Sequence, residues 1–336
     1  MIRLSIIIPV YGIENYISRC LDSVFSINLP EGEYEVICVD DCSKDKSSTI
    51  IERYQLKHGN LRLIHHAENK RQGGARNTGV TNAQGDFVIF VDGDDRIPKY
   101  DISGVLDYMQ EKGLELWLGA AEVIKQDGIV TRWGNAPNES SEIMSGPDVF
   151  IGEYIHKIAF GAAWMGVYSM SLLKRVAPFE ENVFFEDTDW TLRCAYESRL
   201  LQYQPVVIYN YMENQASTTK RLSVGKMIDR VRQGLRVWEW AQTTVERHDE
   251  VLVAAEDHCT CNLRCLSLLK FYSCSDRKRF YRSFSKEEFS VTKQWKIGGG
   301  GWMNVVRKPG WSRVLMSFFS PFLKCAKELK DKTLKK

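Results

Sequence analysis

Three carboxylates occupy the four residues Asp92-Gly93-Asp94-Asp95, directly after the mostly apolar segment at residues 86–91. Like charges held this close repel one another, and a divalent cation removes that repulsion. Ligand sets made only of oxygen suit Mg²⁺ or Mn²⁺, which divide their coordination between protein carboxylates and substrate phosphates. We therefore expect Mn²⁺ or Mg²⁺ at this cluster. A solvated Asp-rich turn is the alternative, because short motifs also match by chance.

Two more acidic pairs stand where chemistry is plausible. Asp40 and Asp41 follow the apolar run at residues 35–39, and Glu186 and Asp187 lie in an acidic segment at residues 184–190. A positioned carboxylate can act as a general base, which is worth roughly 10²–10⁴-fold in rate. The alternative for both pairs is a structural role, because carboxylates favour helix N-termini.

The elements around these acids alternate between strand and helix. Short apolar runs predict strands at residues 4–10, 35–39, 61–64 and 86–91, and helical spacing predicts helices at 14–26, 46–58 and 73–83. Such alternation predicts an α/β domain with a mostly parallel sheet covered by helices on both faces. In these sheets ligands bind outside the carboxyl ends of the strands, so the clusters at 40–41 and 92–95 are expected to share one crevice.

Several other classes of site are excluded by the residues themselves. The first strand is not followed by paired aspartates, as a haloacid-type phosphatase needs, and no Gly-x4-Gly-Lys-Ser/Thr P-loop occurs in the sequence. Residues 73–79 do not form a dinucleotide loop after the first strand. The sequence shows neither a leader peptide nor a run of about 18 apolar residues, so we expect a cytoplasmic protein with free thiols.

The chain is predicted to divide at residues 220 and 297. Residues 1–220 hold 21 basic and 31 acidic side chains and form the predicted α/β domain. Residues 221–297 are predicted to be a helical extension. Within it, Cys259, Cys261 and Cys265 beside His258 fit buried helix positions better than any usual zinc spacing. Residues 298–336 combine a glycine joint, Gly298 to Gly301, with a basic amphipathic tail.

The tail at residues 302–336 carries nine Lys and Arg against two acids, interleaved with Trp, Phe and Leu. This pattern predicts an anchor on an anionic membrane surface, and a helix docked on the rest of the protein is the alternative. No motif that reads nucleic acid occurs in the sequence, so no nucleic-acid partner is expected. The predicted location is therefore the cytoplasmic face of the inner membrane, as a peripheral protein.

Residues 4 to about 220 resemble the inverting family 2 glycosyltransferases, which have the Rossmann-like GT-A fold. Ser5 to Tyr11 resembles the family's opening strand, and Val39 to Ser47 resembles its Val-Asp-Asp-Gly-Ser-x-Asp-x-Ser segment with Cys42 in place of glycine. Asn69 to Gly79 resembles the Asn-x-Gly-x-x-x-Ala-Arg-Asn-x-Gly stretch with a compressed glycine region, and Val91 to Asp95 resembles the metal motif. Together these segments are far more specific than any one of them alone.

The resemblance assigns roles to individual residues. Pro9 and Tyr11 would shape the nucleobase pocket, where Asp41 would accept a hydrogen bond from a uracil-like N–H and Asp40 would support it. The resemblance also implies that Arg76 binds the donor phosphates and that Asp92, with Gly93 beside it, binds the ribose. Asp94 or Asp95 would bind the metal. For Arg76 the alternative is a surface salt bridge.

The acceptor side is implied by the same resemblance. Asp187 would be the catalytic base with Glu186 supporting it, and Trp164 would flank the acceptor pocket, although a buried Trp is the alternative. The implied activity is transfer of one sugar, with inversion, from a UDP-sugar or another nucleotide sugar to a glycan or polyprenyl-linked acceptor. That activity would serve capsule, O-antigen or exopolysaccharide assembly.

Two other functions are alternatives, and the residues argue against both. A nucleotidyltransferase would need a Gly-rich basic loop after the first strand, but Tyr11-Gly12-Ile13-Glu14 stands there instead. A non-catalytic sugar- or lipid-binding relative would not need Asp92, Asp94 and Asp187, but all three are present.

Overall fold

A computed structural model describes residues 1–134, 137–151, 161–214 and 223–244, together with residues 275, 276, 279 and 282–284. The chain divides into two compact units, Met1–Arg221 and Leu222–Lys336. All of the predicted site residues fall in the first unit. The cysteine group at 259–265 and the tail at 302–336 lie outside the described residues.

The first half of the first unit alternates strand and helix as the sequence predicts. Its elements are β1 (Leu4–Val10), α1 (Ile17–Val24), β2 (Tyr34–Asp40), α2 (Ser47–Gln55), β3 (Leu61–His65), α3 (Arg71–Asn82) and β4 (Phe87–Phe90). A short 3₁₀ turn, Glu31–Glu33, precedes β2. Every residue of β1 and β2 is buried, as strands covered on both faces require.

The second half of this unit is less regular. It contains α4 (Ile102–Lys112), β5 (Leu116–Ile124), β6 (Val130–Arg132), α5 (Gly146–Ile151), β7 (Gly166–Ser169), α6 (Met170–Leu173), α7 (Glu186–Glu197) and β8 (Leu201–Met212). A 3₁₀ turn, Ala163–Met165, precedes β7. Helix α4 has explicit ends: Asp101 accepts a hydrogen bond from the Gly104 N–H at 3.0 Å, and Gly113 ends the helix in the left-handed conformation.

The eight described strands form one sheet in the order β3-β2-β1-β4-β7-β5-β6, with β8 paired to β5. Strands β1 to β4 run parallel, as predicted, whereas β7 pairs antiparallel with both β4 and β5. Parallel neighbours need a crossover connection, usually a helix, and the regular alternation of strand and helix ends after α4. Strand β8 is again parallel to β5, so the sheet remains mostly parallel, as predicted, with β6 and β7 as its antiparallel members.

Helix α1 shows why these segments pack as they do. Its buried residues Ile17, Cys20, Leu21 and Val24 recur at helical spacing, which places one apolar face against the sheet. They join β1, β2 and β4 in the largest hydrophobic cluster of the described residues. The carboxyl ends of β1, β2 and β4 are thereby fixed at one edge of the sheet.

The second unit contributes helix α8 (Val224–Thr244), which lies within the predicted helical extension at residues 221–297. Its buried residues Val224, Met227, Ile228, Val231 and Leu235 follow helical periodicity. In the described part of the chain, no helix combines the length and the apolar composition that crossing a bilayer requires.

Candidate active site

A cavity of about 430 Å³ opens at the carboxyl edge of the parallel strands. Three carboxylates line it, and they come from three places in the chain: Asp41 after β2, Asp94 after β4, and Glu186 at the start of α7. Pro9 and Tyr11 line it from the end of β1. The structure thus brings together acids that lie up to 145 positions apart in the sequence.

A larger cavity, of about 990 Å³, lies elsewhere in the first unit. It is lined by the residues that precede β4, such as Asp86, and by Glu115 and Lys174. None of the predicted site residues lines it, so the smaller cavity is the candidate active site.

Asp41 is buried, and its two carboxylate oxygens differ. Oδ1 lies 2.7 Å from the Lys70 backbone N–H and 2.7 Å from Nδ1 of His66, whose other nitrogen lies 2.8 Å from the Thr78 hydroxyl. Oδ2 is buried without a hydrogen-bond partner. A buried acceptor left unpaired costs free energy, so this oxygen is suited to a donor group on a ligand.

Both carboxylate oxygens of Asp40, unlike those of Asp41, are paired with other protein groups. It accepts hydrogen bonds from the Ser43 backbone N–H at 3.0 Å and the Ser48 hydroxyl at 2.7 Å, and it lies 3.2 Å from His65. Burial alone would raise the pKa of Asp40, but the hydrogen bonds from Ser43 and Ser48 outweigh it and lower that pKa. The contacts of Asp40 match the structural alternative, in which it organises the turn before α2.

Asp94 and Asp95 are distinguished by their partners. Both oxygens of Asp95 are taken by protein donors, the Tyr209 hydroxyl and the Met212 backbone N–H, each at 2.7 Å. Asp94 lines the cavity beside Gly93, and its carboxylate lies 3.4 Å from the Asn214 amide. Burial and the neighbouring Asp92 raise the pKa of Asp94. A cation would relieve that cost, so Asp94 is the better candidate ligand.

No group of three or more His, Cys, Asp or Glu side chains in the described ranges is arranged to hold a metal ion. A cation at Asp94 would therefore have to complete its coordination with ligand phosphates and water, as Mg²⁺ commonly does.

Trp164 lies in the core, not on the wall of this cavity. It is 5% exposed and stacks on Tyr209, with ring centroids 4.2 Å apart. Tyr209 in turn holds Asp95 and accepts a hydrogen bond from the Asp92 backbone N–H at 3.1 Å. Trp164 thus supports the acidic cluster from behind, in line with the buried alternative.

Arg76 is an internal cation at the centre of the site. It is 1% exposed, so the surface salt bridge considered from the sequence is wrong. Its guanidinium pairs with Asp92 at 2.8 Å and also with Glu186. Burial opposes its charge, but Asp92 and Glu186 outweigh that effect and raise the pKa of Arg76. Two carboxylates already occupy the group that was predicted to bind phosphate.

Glu186 and Asp187 begin helix α7, directly after Phe185, whose φ of 64° lies in the left-handed region. Glu186 is buried and lines the cavity, whereas Asp187 is half-buried beside it. Burial and the Glu186 carboxylate raise the pKa of Asp187 to about 7, although Arg76 counteracts them. A carboxylate that titrates near neutrality is suited to accept a proton at cellular pH.

Arg71 is not among the site residues predicted from the sequence, but it also lines the cavity and has a φ of 61°. A signal was present. Counted back from Ala75 in the Asn-x-Gly-x-x-x-Ala-Arg-Asn pattern, the glycine position falls on Arg71. The glycine is therefore replaced, and the predicted compressed glycine region is wrong. Cys42, at the other departure from the pattern, also has a positive φ, of 66°.

The model of the glycosyl transferase family 2 matches residues 5–176. The chain is 34% identical over 173 residues to the poly(ribitol-phosphate) beta-glucosyltransferase of Bacillus spizizenii, a match that covers 51% of this chain and 26% of that protein. The chain spans less than two thirds of the length of this and the other curated relatives compared.

Two solved structures share the fold. A Staphylococcus aureus TarS fragment, residues 1–349, in complex with UDP-GlcNAc matches with a TM-score of 0.59 at 19% identity, covering 88% of this chain and 92% of that one. A mannosyltransferase from Pyrobaculum calidifontis, in complex with GDP-Man and Mn²⁺, matches with a TM-score of 0.56 at 15% identity, covering 87% and 83%.

Proposed function

Because this chain belongs to the glycosyl transferase family 2, we propose that it transfers one sugar from a nucleoside-diphosphate donor to a hydroxyl of a glycan or lipid-linked acceptor. The observation that carries the proposal is the single cavity shared by Asp41, Asp94 and Glu186. It combines an unpaired acceptor, a candidate cation ligand and the carboxylate of Glu186, which stands next to the candidate base Asp187.

The nucleoside would bind at the ends of β1 and β2. Tyr11 is 59% exposed and lines the cavity, so its ring is available to stack on a base. The unpaired Oδ2 of Asp41 would accept a hydrogen bond from a ring N–H of uracil. Pro9 shapes the same wall. These features favour a UDP-sugar, as does the likeness to a protein solved with UDP-GlcNAc.

The diphosphate would lie beside Asp94. Asp94 lines the cavity, and its carboxylate is available to bind Mn²⁺ or Mg²⁺. Such an ion would neutralise negative charge on the departing diphosphate. Asp95 holds the loop through Tyr209 and Met212, and Asp92, next to Gly93, is positioned by Arg76. Asp92 would then reach the ribose hydroxyls.

The base would be Asp187. It accepts the proton of the acceptor hydroxyl while that oxygen forms a bond to the anomeric carbon of the donor sugar. The bond from the anomeric carbon to the diphosphate oxygen breaks, and the nucleoside diphosphate leaves with the electron pair. Attack from the face opposite the leaving group inverts the anomeric centre. Arg76 fixes Glu186 and thereby positions the start of α7.

The acceptor is proposed to be a bacterial surface polymer or its lipid-linked precursor. The relative from B. spizizenii carries poly(ribitol-phosphate) in its name, which makes polyol-phosphate chains the first acceptors to test. The proposed location is the cytoplasmic face of the membrane, where the basic tail at residues 302–336 would meet anionic lipid.

The test is calorimetric titration of UDP and UDP-GlcNAc with and without Mn²⁺. We expect the wild-type affinity to rise when Mn²⁺ is present, and Asp94→Asn to remove that rise. The matched control is Asp86→Asn, at an exposed acid directly before β4, which should behave as wild type. A wild-type protein that binds no nucleotide sugar under any of these conditions would overturn the proposed function.

A further inference from the structure

Among the described residues that line the cavity, Arg71 is the one with a basic side chain. The other charged side chains in that described part of the wall are the carboxylates Asp41, Asp94 and Glu186. A nucleotide sugar brings further negative charge into this acidic space. A cation on the wall therefore has a large effect on which ligands bind.

No described acidic residue neutralises the charge of Arg71. Its Cζ atom lies 3.8 Å from the centroid of the Phe184 ring, and the guanidinium forms neither an ion pair nor a hydrogen bond with another described residue. Stacking on an aromatic face leaves the N–H groups in the guanidinium plane available. Arg76, by contrast, is occupied by Asp92 and Glu186.

Arg71 has a backbone conformation that is unfavourable for arginine. Its φ of 61° lies in the left-handed region, which any residue with a Cβ atom disfavours and glycine adopts freely. The side chain is thus held at the cavity against a conformational cost. Strained positions of this kind cluster at ligand-binding sites.

We infer that Arg71 binds an anionic group of the donor and is held ready for it by its contact with Phe184. The group is either the diphosphate or a carboxylate on the transferred sugar, because both match the guanidinium with paired hydrogen bonds. This inference rests on the proposed function and adds to it the residue that reads the charge of the donor.

The experiment compares wild type with Arg71→Gly and Arg71→Lys. Glycine suits the backbone, so Arg71→Gly should fold with unchanged or higher thermal stability. The control is Lys70→Ala: the neighbouring Lys70 pairs with Glu181 at 3.4 Å and does not line the cavity. Each protein is titrated by calorimetry with uridine, UDP, UDP-glucose and UDP-glucuronic acid.

We expect Arg71→Gly to weaken binding of an anionic ligand about tenfold or more and to leave uridine unchanged. Arg71→Lys should lose less, and Lys70→Ala should lose nothing. Loss for UDP and UDP-glucose identifies the diphosphate as the bound group, and loss confined to UDP-glucuronic acid identifies the sugar carboxylate.

Equal losses for uridine and UDP, or no loss for any ligand, would overturn the inference while leaving the proposed function intact. If the wild-type protein binds none of the four ligands, the proposed function itself fails, and the inference fails with it.

Discussion

Asp187 combines a position at the first turn of α7 with a pKa raised to about 7 by burial and by Glu186. A base acts only when it is deprotonated, so the transfer rate should rise with pH and level off above about 7. Measuring kcat/KM from pH 5 to 9 checks this. Asp187→Asn should lower the rate by roughly 10²–10⁴-fold and remove the rise. A wild-type profile that is flat between pH 5 and 8 would rule out Asp187 as the base.

The raised pKa of Asp187 also predicts how the stability of the folded protein changes with pH. An aspartate titrates near 3.9 in the unfolded chain, so the folded protein binds the extra proton between about pH 4 and 7. The stability from this proton is fully present below about pH 4 and is lost as the pH rises through about 7. Asp187→Asn should therefore raise Tm relative to wild type above pH 7, by an amount that shrinks toward pH 4. A difference in Tm that is constant with pH would contradict the shift.

Cys42 stands between the site and α2 with a φ of 66°. Relief of the left-handed strain predicts that Cys42→Gly stabilises the protein by about 1 kcal/mol, measured by denaturant unfolding. The control is Cys42→Ser, which keeps the Cβ atom and removes the thiol. If the serine variant gains as much as the glycine variant, the thiol and not the backbone is responsible.

Some residues of the candidate site could be predicted from the sequence and others could not. Asp41, Asp94 and Glu186 were identified because each follows a strand or precedes a helix in a specific pattern. The partners of Arg76 could not be predicted, because Glu186 lies 110 positions away and meets it only in the folded chain. Arg71 stands at a glycine position of the Asn-x-Gly-x-x-x-Ala-Arg-Asn pattern, which is a signal in the sequence, but its contact with Phe184 could not be predicted because the two residues meet only in the folded chain.

At the scale of elements, the approach of α3 to the segment before α7 decides whether Arg76 can reach Glu186. Gly73 lies at the contact: an added Cβ atom would stand 2.3 Å from the Glu180 carbonyl oxygen and 3.0 Å from Cγ of Glu186. The carbonyl belongs to the backbone, so it cannot turn aside as a flexible side chain could. The two segments would have to separate, and Glu186 would move with them.

Gly73→Ala should therefore destabilise the protein by about 1–3 kcal/mol, as overpacking does, and reduce sugar transfer. Denaturant unfolding and a transfer assay measure the two effects. The control is Gly59→Ala, where an added Cβ atom meets nothing within 4 Å. If both variants unfold at the same denaturant concentration as wild type, the close contact at Gly73 does not limit the approach.

The parallel arrangement of β1 to β4 was predictable and the placement of β7 was not, for a physical reason. Strands β1 to β4 are short apolar runs separated by amphipathic helices, so local pattern and final topology agree. Strand β7 is placed by antiparallel pairing with β4 and β5, which are both distant in sequence. No local periodicity encodes that pairing.

At the scale of the whole molecule, charge is divided unevenly along the chain. Residues 1–220 hold 21 basic and 31 acidic side chains, and residues 221–336 hold 24 and 12. An acidic segment that concentrates cations and a basic segment that meets anionic lipid would serve different partners of one reaction. The proposed water-soluble donor and lipid-linked acceptor would be two such partners.

The last prediction follows from the nine basic residues at 302–336. Each one near an anionic surface adds about 1 kcal/mol of attraction, and salt screens it within about 10 Å at 0.1 M. The full chain should therefore sediment with phosphatidylglycerol vesicles but not with phosphatidylcholine vesicles, and raising the salt should release it. Replacing Lys324, Lys327, Lys330 and Lys332 with Gln should weaken the binding while keeping the apolar residues. Binding that is insensitive to salt and to these substitutions would show that charge is not what brings this protein to lipid.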